Sequence, residues 1–278
     1  MSVTGTRIKT KRYLVMRSMR IKDHMSANQM EAQIKAGILK ALLDATKDVC
    51  TNVNVRCIAT GMQLQSIDSC HVAICALVLH EAAFSKYECA GPASLGLSFE
   101  SLALTLKGCT AEEEVWIAWD RDSSDRLTIS RGDSREYQLK LLDLDCCEDM
   151  DIPEQTYEAS LTLRSDELLR ICRDLGTMGD TVAICVDKQK VRFSVEGDVG
   201  KGAAIVSAGE HVTIEAPSGE MAPLHYPMKY IVTFAKAAPL SHTVVLKLGT
   251  DTPLHVGYLV EGAAEKGHLH FYLAPRIV

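Results

Sequence analysis

The sequence lacks most of the patterns that identify an enzyme. It contains no G-x-G-x-x-G, G-x-x-x-x-G-K-[ST] or G-x-S-x-G segment, which excludes the common phosphate-binding loops and the nucleophile elbow of hydrolases. Its cysteines and histidines are scattered, with neither C-x-x-C nor H-E-x-x-H spacing, so we expect no metal site. We accordingly identify no active site in the sequence and expect no cofactor.

Long hydrophobic runs are also missing. No apolar stretch approaches the about 18 residues that a membrane-spanning helix needs, so no membrane contact is expected. Without paired cysteine motifs or a secretory leader, the ten cysteines are expected to be reduced, as in an intracellular protein. Apolar residues make up 47% of the 278 residues and charged residues 24%, which is typical of a folded protein with room for two ordinary domains.

Positive charge is concentrated at the N-terminus. Residues 1–29 carry seven Lys or Arg against Asp23 alone, a net charge of +6, which leaves −12 for the rest of a chain whose total is −6. We interpret residues 1–29 as a basic extension outside the fold. A disordered leader, an expression remnant, a nuclear signal at "KTKR" and a transit-like peptide all fit its composition.

The remaining sequence repeats one pattern of elements twice. In each half, strand-like segments of alternating or β-branched apolar residues surround two short helices. The four predicted helices are "GILKALLDATKDV", "SFESLALTLKGC", "SDELLRICRDLGTMG" and "PMKYIVTFAKAAPL". Ser98 and Ser165 are the expected N-caps of the second and third helices. We predict an α+β fold of two similar domains, residues 30–142 and 158–278.

An acidic segment, residues 143–157, separates the two halves. It holds six acidic residues and no basic one, and Pro153 argues against a helix there. Such a composition is typical of a solvated interdomain connector. Its apolar residues Met150 and Ile152 lie where the greatest exposure is expected.

Each predicted helix carries basic residues along one side, although the body of the chain is acidic. Lys40 and Lys47 are seven positions apart on the first helix, and Lys229 and Lys236 repeat that spacing on the fourth. For any one helix the simpler explanation is an ordinary solvated face, with cations favoured near its C-terminus. Agreement among all four helices favours a surface that faces a polyanion and contacts phosphate without sequence preference.

The chain ends on the apolar segment "GHLHFYLAPRIV". Leu269, Phe271 and Leu273 alternate as in a half-buried strand, and the segment then continues with Pro275 and Ile277. Chain ends are usually polar. The residues after Leu273 therefore either pack on their own domain or form a surface that a partner covers.

Several segments together resemble the proliferating cell nuclear antigen family of eukaryotic DNA sliding clamps. They are "LQSIDSCHV", "LKLLDLD", "IPEQTY", "ICRDL", "KAAPLSHTV" and "GHLHFYLAPRI", in the order of the family. The resemblance implies two domains of the DNA-clamp (processivity-fold) type and a head-to-tail homotrimeric ring with helices lining the central hole. It also implies a processivity factor, not an enzyme. Such a factor encircles duplex DNA and tethers DNA polymerase, repair factors and other proteins with clamp-binding peptides, after placement by a clamp loader.

The resemblance also implies two sets of site residues. The positions matching DNA-facing basic residues are Lys40, Lys47, Lys107, Arg170, Arg173 and Lys236. Leu104 stands where a second lysine is common on the second helix. The positions matching a hydrophobic pocket for an aromatic-anchored partner peptide are His71, Val72, Ile74, Met150, Ile152, Pro239, Tyr272, Ala274, Pro275 and Ile277. The apolar end of the chain would then be one wall of that pocket.

Ring closure and regulation are implied at further positions. In the family, edge strands of neighbouring subunits pair, and the matching segments here are "RLTISR" and "GAAIVSA". A regulatory lysine is common in the loop matching "VDKQKV", where Lys188 and Lys190 are both candidates.

Two other functions fit the same residues, and a third, a metabolic enzyme, would need site residues that we do not find in the sequence. A subunit of a checkpoint-type hetero-trimeric clamp would share the fold, and a peptide-binding adaptor would be a monomer that does not associate with DNA. The expected location is the nucleus, with organellar targeting by the basic N-terminal residues as the alternative.

Overall fold

The computed structural model describes residues 29–120, 125–132, 134–145, 152 and 155–276. Within these ranges the chain forms three antiparallel sheets and four α-helices. None of the helices described is both long enough and apolar enough to cross a membrane.

The first half runs from a strand into a helix and on through a repeated strand order. Its elements are β1 (Gln29–Lys35), α1 (Ala36–Thr46), β2 (Asn52–Ile58), β3 (Gly61–Ile67), β4 (Ala73–His80), β5 (Lys86–Cys89), β6 (Ala93–Ser98), α2 (Phe99–Thr105), β7 (Glu114–Asp120), β8 (Arg126–Arg131) and β9 (Arg135–Lys140).

The second half repeats that order element by element. It comprises β10 (Ala159–Arg164), α3 (Ser165–Leu175), β11 (Thr181–Val186), β12 (Lys190–Gly197), β13 (Gly200–Ser207), β14 (Thr213–Glu215), β15 (Leu224–Pro227), α4 (Met228–Ala235), β16 (Thr243–Leu248), β17 (Leu254–Leu259) and β18 (Gly267–Leu273). Each helix follows a strand directly in both halves. The predicted α+β duplication is therefore confirmed.

One sheet runs through both halves. Its nine strands lie in the order β14-β10-β16-β17-β18-β4-β3-β2-β6, and β18 and β4 pair antiparallel where the halves meet. A five-stranded sheet, β5-β1-β7-β8-β9, belongs to the first half, and a four-stranded sheet, β13-β12-β11-β15, belongs to the second.

The helices lie in one row against the sheets. α1 contacts α2 and α4, and α4 also contacts α3, so the row runs α3–α4–α1–α2. The alternation of β18 explains this layering, because every second side chain points to the helices. Phe271 is fully buried and its ring stacks on Phe234 of α4, with the centroids 4.3 Å apart. The neighbouring side chains His270 and Tyr272 are only half-buried, on the opposite face of the sheet.

The predicted helix caps have different outcomes. Ser98 is the N-cap of α2, and its Oγ accepts a hydrogen bond from the Ser101 backbone nitrogen at 3.2 Å. The prediction for Ser165 is wrong, since Arg164 occupies the N-cap position and Ser165 is the first helical residue. The cause is that β10 stays paired with β16 through Arg164, opposite Thr243, so the helix begins one residue later.

Candidate functional site

The six predicted basic residues all lie on the helical row or at its ends. Lys47 and Lys236 follow α1 and α4 as their C-caps, and Lys107 lies in the turn after α2. Lys40 belongs to α1, and Arg170 and Arg173 belong to α3. All six side chains are exposed or half-buried, so the helical row carries cations on its accessible side.

Most of these cations already have a partner within the chain. Lys47 Nζ lies 2.8 Å from Asp44, whose hydrogen bond raises the pKa of that lysine. Lys236 pairs with Asp48, and Lys40 Nζ donates to the Cys109 carbonyl oxygen at 2.7 Å. These partners reduce the positive charge available to a ligand.

The two arginines of α3 differ from each other. Arg170 pairs with Glu167 at 3.1 Å and with Asp166 at 3.8 Å. Arg173 is exposed and forms no ion pair within the described ranges, and the same is true of Lys107. Lys107 and Arg173 are therefore the cations most available for contact with an anion.

The turn that carries Lys107 is held by a buried arginine. Arg131 is 3% exposed, and its Nη1 donates to the carbonyl oxygens of Thr105 at 2.5 Å and Lys107 at 3.1 Å. Arg131 begins the "RGD" segment, and Gly132 has a φ of 53°, as a tight β8–β9 turn requires. Close by on α2, Leu104 is 65% exposed, so this helix presents an apolar side chain beside its cation.

A second group of predicted residues surrounds a turn at the junction of the halves. The turn connects β3 to β4, and the Asp68 side chain, 5% exposed, lies inside it. Its Oδ1 accepts the backbone N–H groups of Val72 and Ala73 at 2.8 and 2.7 Å. Its Oδ2 accepts the N–H of Cys70 at 3.1 Å and the hydroxyl of Tyr230 at 2.5 Å.

The electrostatics of Asp68 follow from these bonds. Burial alone would raise the pKa of its carboxyl group, but hydrogen bonds from Tyr230 and from three backbone amides outweigh burial and hold the pKa below its ordinary value. Asp68 is thus a stable anion inside the turn.

The end of the chain packs along this turn. The Ala274 backbone nitrogen donates to the Val72 carbonyl oxygen at 2.9 Å, and that of Arg276 donates to the His225 carbonyl oxygen at 2.7 Å. The Arg276 guanidinium also donates to the Thr181 hydroxyl. Of the two possibilities for the apolar tail, the described residues therefore pack on their own chain, with Pro275 still half-buried at the surface.

The structure brings most of the described pocket residues together. His71 and Val72 lie in the turn, Ile74 follows on β4 opposite Tyr272 of β18, and Ala274 and Pro275 continue from that strand. Ile152 is half-buried, while Met150 and Ile277 lie outside the described residues.

Pro239 does not join this group. It lies in the short 3-10 helix Ala238–Leu240, which contacts α1 and α3 on the helical side of the sheet. Pro253 takes the expected place instead, because β17 begins directly after it and Leu254 pairs with Leu273, which leaves Pro253 beside Ala274. Sequence reasoning missed Pro253, although a proline directly before an apolar strand was its visible signal.

Neutral aromatic side chains extend from the pocket across the outer face of the sheet. The rings of His255 and Tyr272 lie 5.1 Å apart, and that of His270 lies 4.7 Å from His255. Burial lowers the pKa of His255 to about 4 and that of His270 to about 3, with neighbouring His268 and Lys247 adding to the effect. These histidines are therefore uncharged near neutral pH.

Each of the three sheets in the described part of the chain ends in two edge strands. Two of these six edge strands are β9 in the five-stranded sheet and β13 in the four-stranded sheet. By the repeated element order, β9 corresponds to β18 and β13 corresponds to β4, the two strands that join the halves. The open edges are thus counterparts of a pair that is already joined, which suits head-to-tail association of copies.

One of the two predicted edges is wrong. "RLTISR" is β8, which pairs with β7 and β9 on its two sides, whereas "GAAIVSA" lies in β13 and is an edge. The chain reverses after Arg131 and adds β9 outside β8. β9 was not recognised because five of its six side chains are exposed in the single chain.

The features described so far are those of a ring-forming DNA clamp. They are a row of helices with cations, an outer pocket and two edge strands that suit head-to-tail pairing. The N-terminal domain of proliferating cell nuclear antigen matches residues 29–152, and its C-terminal domain matches residues 151–276. The chain belongs to the proliferating cell nuclear antigen family.

Individual relatives agree with this assignment. Proliferating cell nuclear antigen of Chaetomium thermophilum is 36% identical to the chain, over 89% of this chain and 98% of the relative. The crystal structure of Proliferating Cellular Nuclear Antigen from Entamoeba histolytica is similar with a TM-score of 0.81 at 27% identity, over 89% of this chain and 99% of that one.

The assignment establishes the biochemical role. The chain is a DNA sliding clamp and processivity factor rather than an enzyme. Clamps of this family assemble as homotrimers and bind DNA, polymerases and the clamp loader. The predicted fold class, function and partners are confirmed at this level.

Proposed function

We propose that the ring contacts duplex DNA through the helical row, with Lys107 and Arg173 as its strongest phosphate contacts. The observation that carries this proposal is that six predicted cations lie on one row of four contacting helices. The contribution of the other four cations is smaller, because each already binds an acidic side chain or a carbonyl oxygen of the chain. They are Lys40, Lys47, Arg170 and Lys236. A clamp that slides needs this kind of diffuse attraction.

The salt dependence of DNA binding tests the assignment. Each lost phosphate contact reduces the slope of log K against log salt by about 0.9. We expect Lys107→Ala and Arg173→Ala each to reduce the slope for a fluorescent duplex. Arg192→Ala, an exposed cation on β12, is the matched control and should leave it unchanged. Equal slopes for all three variants would contradict the proposal.

We also propose how copies pair in the ring. If β9 meets β13 of the next copy in the register that joins β18 to β4, then Tyr137 faces Gly202 of the partner subunit. Light scattering on the full chain should then give three times the chain mass of 30.4 kDa. A stable monomer would contradict the pairing and favour a hetero-trimeric ring or an adaptor.

The partner site in this proposal is the pocket formed by His71, Val72, Ile74, Pro253, Tyr272, Ala274 and Pro275. Met150, Ile152 and Ile277 would complete it from the connector and the chain end, and Pro239 is left out. Its occupant is an aromatic-anchored peptide of a polymerase or another clamp-binding protein, because a neutral apolar pocket in an acidic body suits such an anchor. Ile74→Ser should weaken binding of a labelled clamp-binding peptide without changing the ring mass.

The same proposal includes the domain bounds and the location of the clamp. The domains are residues 30–142 and 158–278 with connector 143–157, and the clamp acts in the nucleus.

The proposal also includes a modification site. Lys188 is favoured over Lys190 for modification, because Lys190 pairs with Asp187 at 3.7 Å while Lys188 is exposed and has no ion pair among the residues described. Mass spectrometry of clamp modified in a cell extract, with Lys188→Arg and Lys190→Arg compared, would test the choice.

A further inference from the structure

We propose that Asp68 and Tyr230 act together as a positioning pair for the partner pocket. The buried Asp68 carboxylate holds the turn that carries His71 and Val72, and Tyr230 fixes that carboxylate to helix α4. This inference rests on the pocket proposed above and adds the residues that set its shape.

The turn is closed both by its backbone and by Asp68. The Asp68 backbone nitrogen donates to the Ala73 carbonyl oxygen at 2.9 Å, and the His71 nitrogen donates to the Asp68 carbonyl oxygen at 3.0 Å. The carboxylate adds hydrogen bonds from three further backbone amides of the same turn. Hydrogen bonds to an ionised acceptor are stronger than neutral ones, so this one side chain determines much of the turn.

His71 shows that the turn has to be held. Its φ is 57°, and the only other non-glycine residue with a positive φ in the described ranges is Glu261. Such a conformation is unfavourable for a residue with a Cβ and persists where surrounding bonds over-determine it. The amides on both sides of His71, those of Cys70 and Val72, are two of the three that donate to the Asp68 carboxylate.

A shift of this turn would move two walls of the pocket at once. The Val72 carbonyl oxygen accepts the hydrogen bond that holds Ala274, so the chain end follows the turn. Ile74 directly follows Ala73 on β4, and the Ala73 N–H donates to the Asp68 carboxylate. The Ile74 side of the pocket would therefore move with the turn as well. Asp68 thus affects the pocket without lining it.

Tyr230 ties this arrangement to the other half of the molecule. It lies on α4, is 6% exposed and is 162 residues from Asp68 in the sequence. α4 belongs to the row that we propose faces DNA. The hydrogen bond between Tyr230 and Asp68 therefore connects the DNA-side layer directly to the partner side.

The test uses the intact ring and a fluorescein-labelled peptide with the aromatic-anchored clamp-binding segment of a family partner. Tyr230→Phe removes one hydrogen bond to the carboxylate and should weaken the peptide affinity about fivefold. Asp68→Asn should weaken it at least as much, and Asp68→Ala about tenfold or more. Tyr258→Phe is the matched control, because the Tyr258 hydroxyl is also buried but has no hydrogen-bond partner among the described residues.

A second measurement separates positioning from general damage. Hydrogen exchange of the amides of residues 68–73 and of Ala274, which is bound to the Val72 carbonyl oxygen, should become faster in Tyr230→Phe and Asp68→Asn, while exchange elsewhere and the ring mass stay as in the parent. Faster exchange throughout the chain, with weaker peptide binding, would overturn the inference in favour of a purely structural role.

The pocket variant Ile74→Ser distinguishes the two levels of the proposal. If Ile74→Ser loses the peptide while Tyr230→Phe and Asp68→Asn bind as the parent does, the pocket stands and the positioning pair is wrong. If Ile74→Ser binds normally, the pocket itself is wrong and this inference fails with it.

Discussion

Tyr272 of β18 lies directly opposite Ile74 of β4, at the point where the two halves of the chain share one sheet. In the register proposed above for the ring, in which Tyr137 faces Gly202 of the partner subunit, the corresponding pair is Gln138 on β9 and Lys201 on β13. The junction inside the chain therefore carries an apolar pair where the junction between copies would carry a polar one. This difference explains why one pocket is expected for each chain although the ring has two kinds of junction.

Removing the Tyr137 side chain is expected to dissociate the ring. Tyr137 is the counterpart of Phe271, which is fully buried, yet it remains 36% exposed on an unpaired edge. Burial of such a ring in the assembled clamp contributes about 2 kcal/mol at each of the junctions. Light scattering of Tyr137→Ala over a dilution series should show monomers at concentrations where the parent is a trimer.

The control for that experiment is an exposed apolar residue away from any edge. Leu259 is 40% exposed at the end of β17, which pairs with β16 and β18. Leu259→Ser should remain trimeric. If both variants dissociate alike, general loss of apolar surface rather than the β9 edge controls assembly.

Stability is expected to decrease as the pH falls from about 6.5 towards 4. His255 and His270 stay neutral in the folded chain, with pKa values of about 4 and about 3, while in the unfolded chain they bind protons below their ordinary value of 6.5. The unfolded state therefore binds more protons in this window, and acidification favours unfolding. Lys247, His268, Tyr157 and Tyr272 are the titratable groups around them.

Urea unfolding at several pH values measures this effect. His255→Gln removes one titrating group, so its free energy of unfolding should vary less steeply with pH than that of the parent. His211→Gln, in an exposed loop, is the control substitution. A parental slope in His255→Gln would show that other groups control acid unfolding.

The two helix-initial serines predict opposite responses to substitution. Ser98 caps α2, so Ser98→Ala should reduce the free energy of unfolding by about 1 kcal/mol. The Ser165 Oγ is buried without a hydrogen-bond partner in the described ranges, so Ser165→Ala should be neutral or stabilising. Urea denaturation of both variants decides the point, and equal losses would mean that Ser165 Oγ has a partner in solution.

The sequence predicted those parts of the molecule whose side chains alternate between core and solvent. β18 is such a case, with Leu269, Phe271 and Leu273 facing the helices. β9 could not be predicted, because an edge strand that pairs only in the assembled ring has few buried residues in the single chain, and so lacks the alternating pattern of a strand.

Contacts between distant residues were also beyond sequence reasoning. Asp68 and Tyr230 are 162 positions apart, and Lys236 and Asp48 are 188 apart. A basic helix face was visible in the sequence, but the acids that neutralise it were not. Only the packing of α4 beside α1 brings Asp48 to Lys236.

Those neutralising acids lead to the last prediction, which concerns Asp44 and Asp48. Asp44 pairs with Lys47, and Asp48 pairs with Lys236, so each weakens a cation of the helical row. Asp44→Asn and Asp48→Asn should therefore strengthen DNA binding at low salt. The slope of log K against log salt should also become steeper, by the amount expected for about one further released counterion. The same variants should slide more slowly along stretched DNA, because phosphate contacts that form more strongly are broken less often.

Glu210→Gln is the matched control, since it changes the net charge equally in an exposed loop outside the helical row. If Glu210→Gln strengthens DNA binding as much as Asp48→Asn does, overall charge rather than the local ion pair governs affinity. If Asp48→Asn has no effect while Lys236→Ala weakens binding, the lysine contacts phosphate without competition from its acid. An increase confined to Asp44→Asn and Asp48→Asn would mean that the clamp limits its own hold on DNA through acids placed beside its cations.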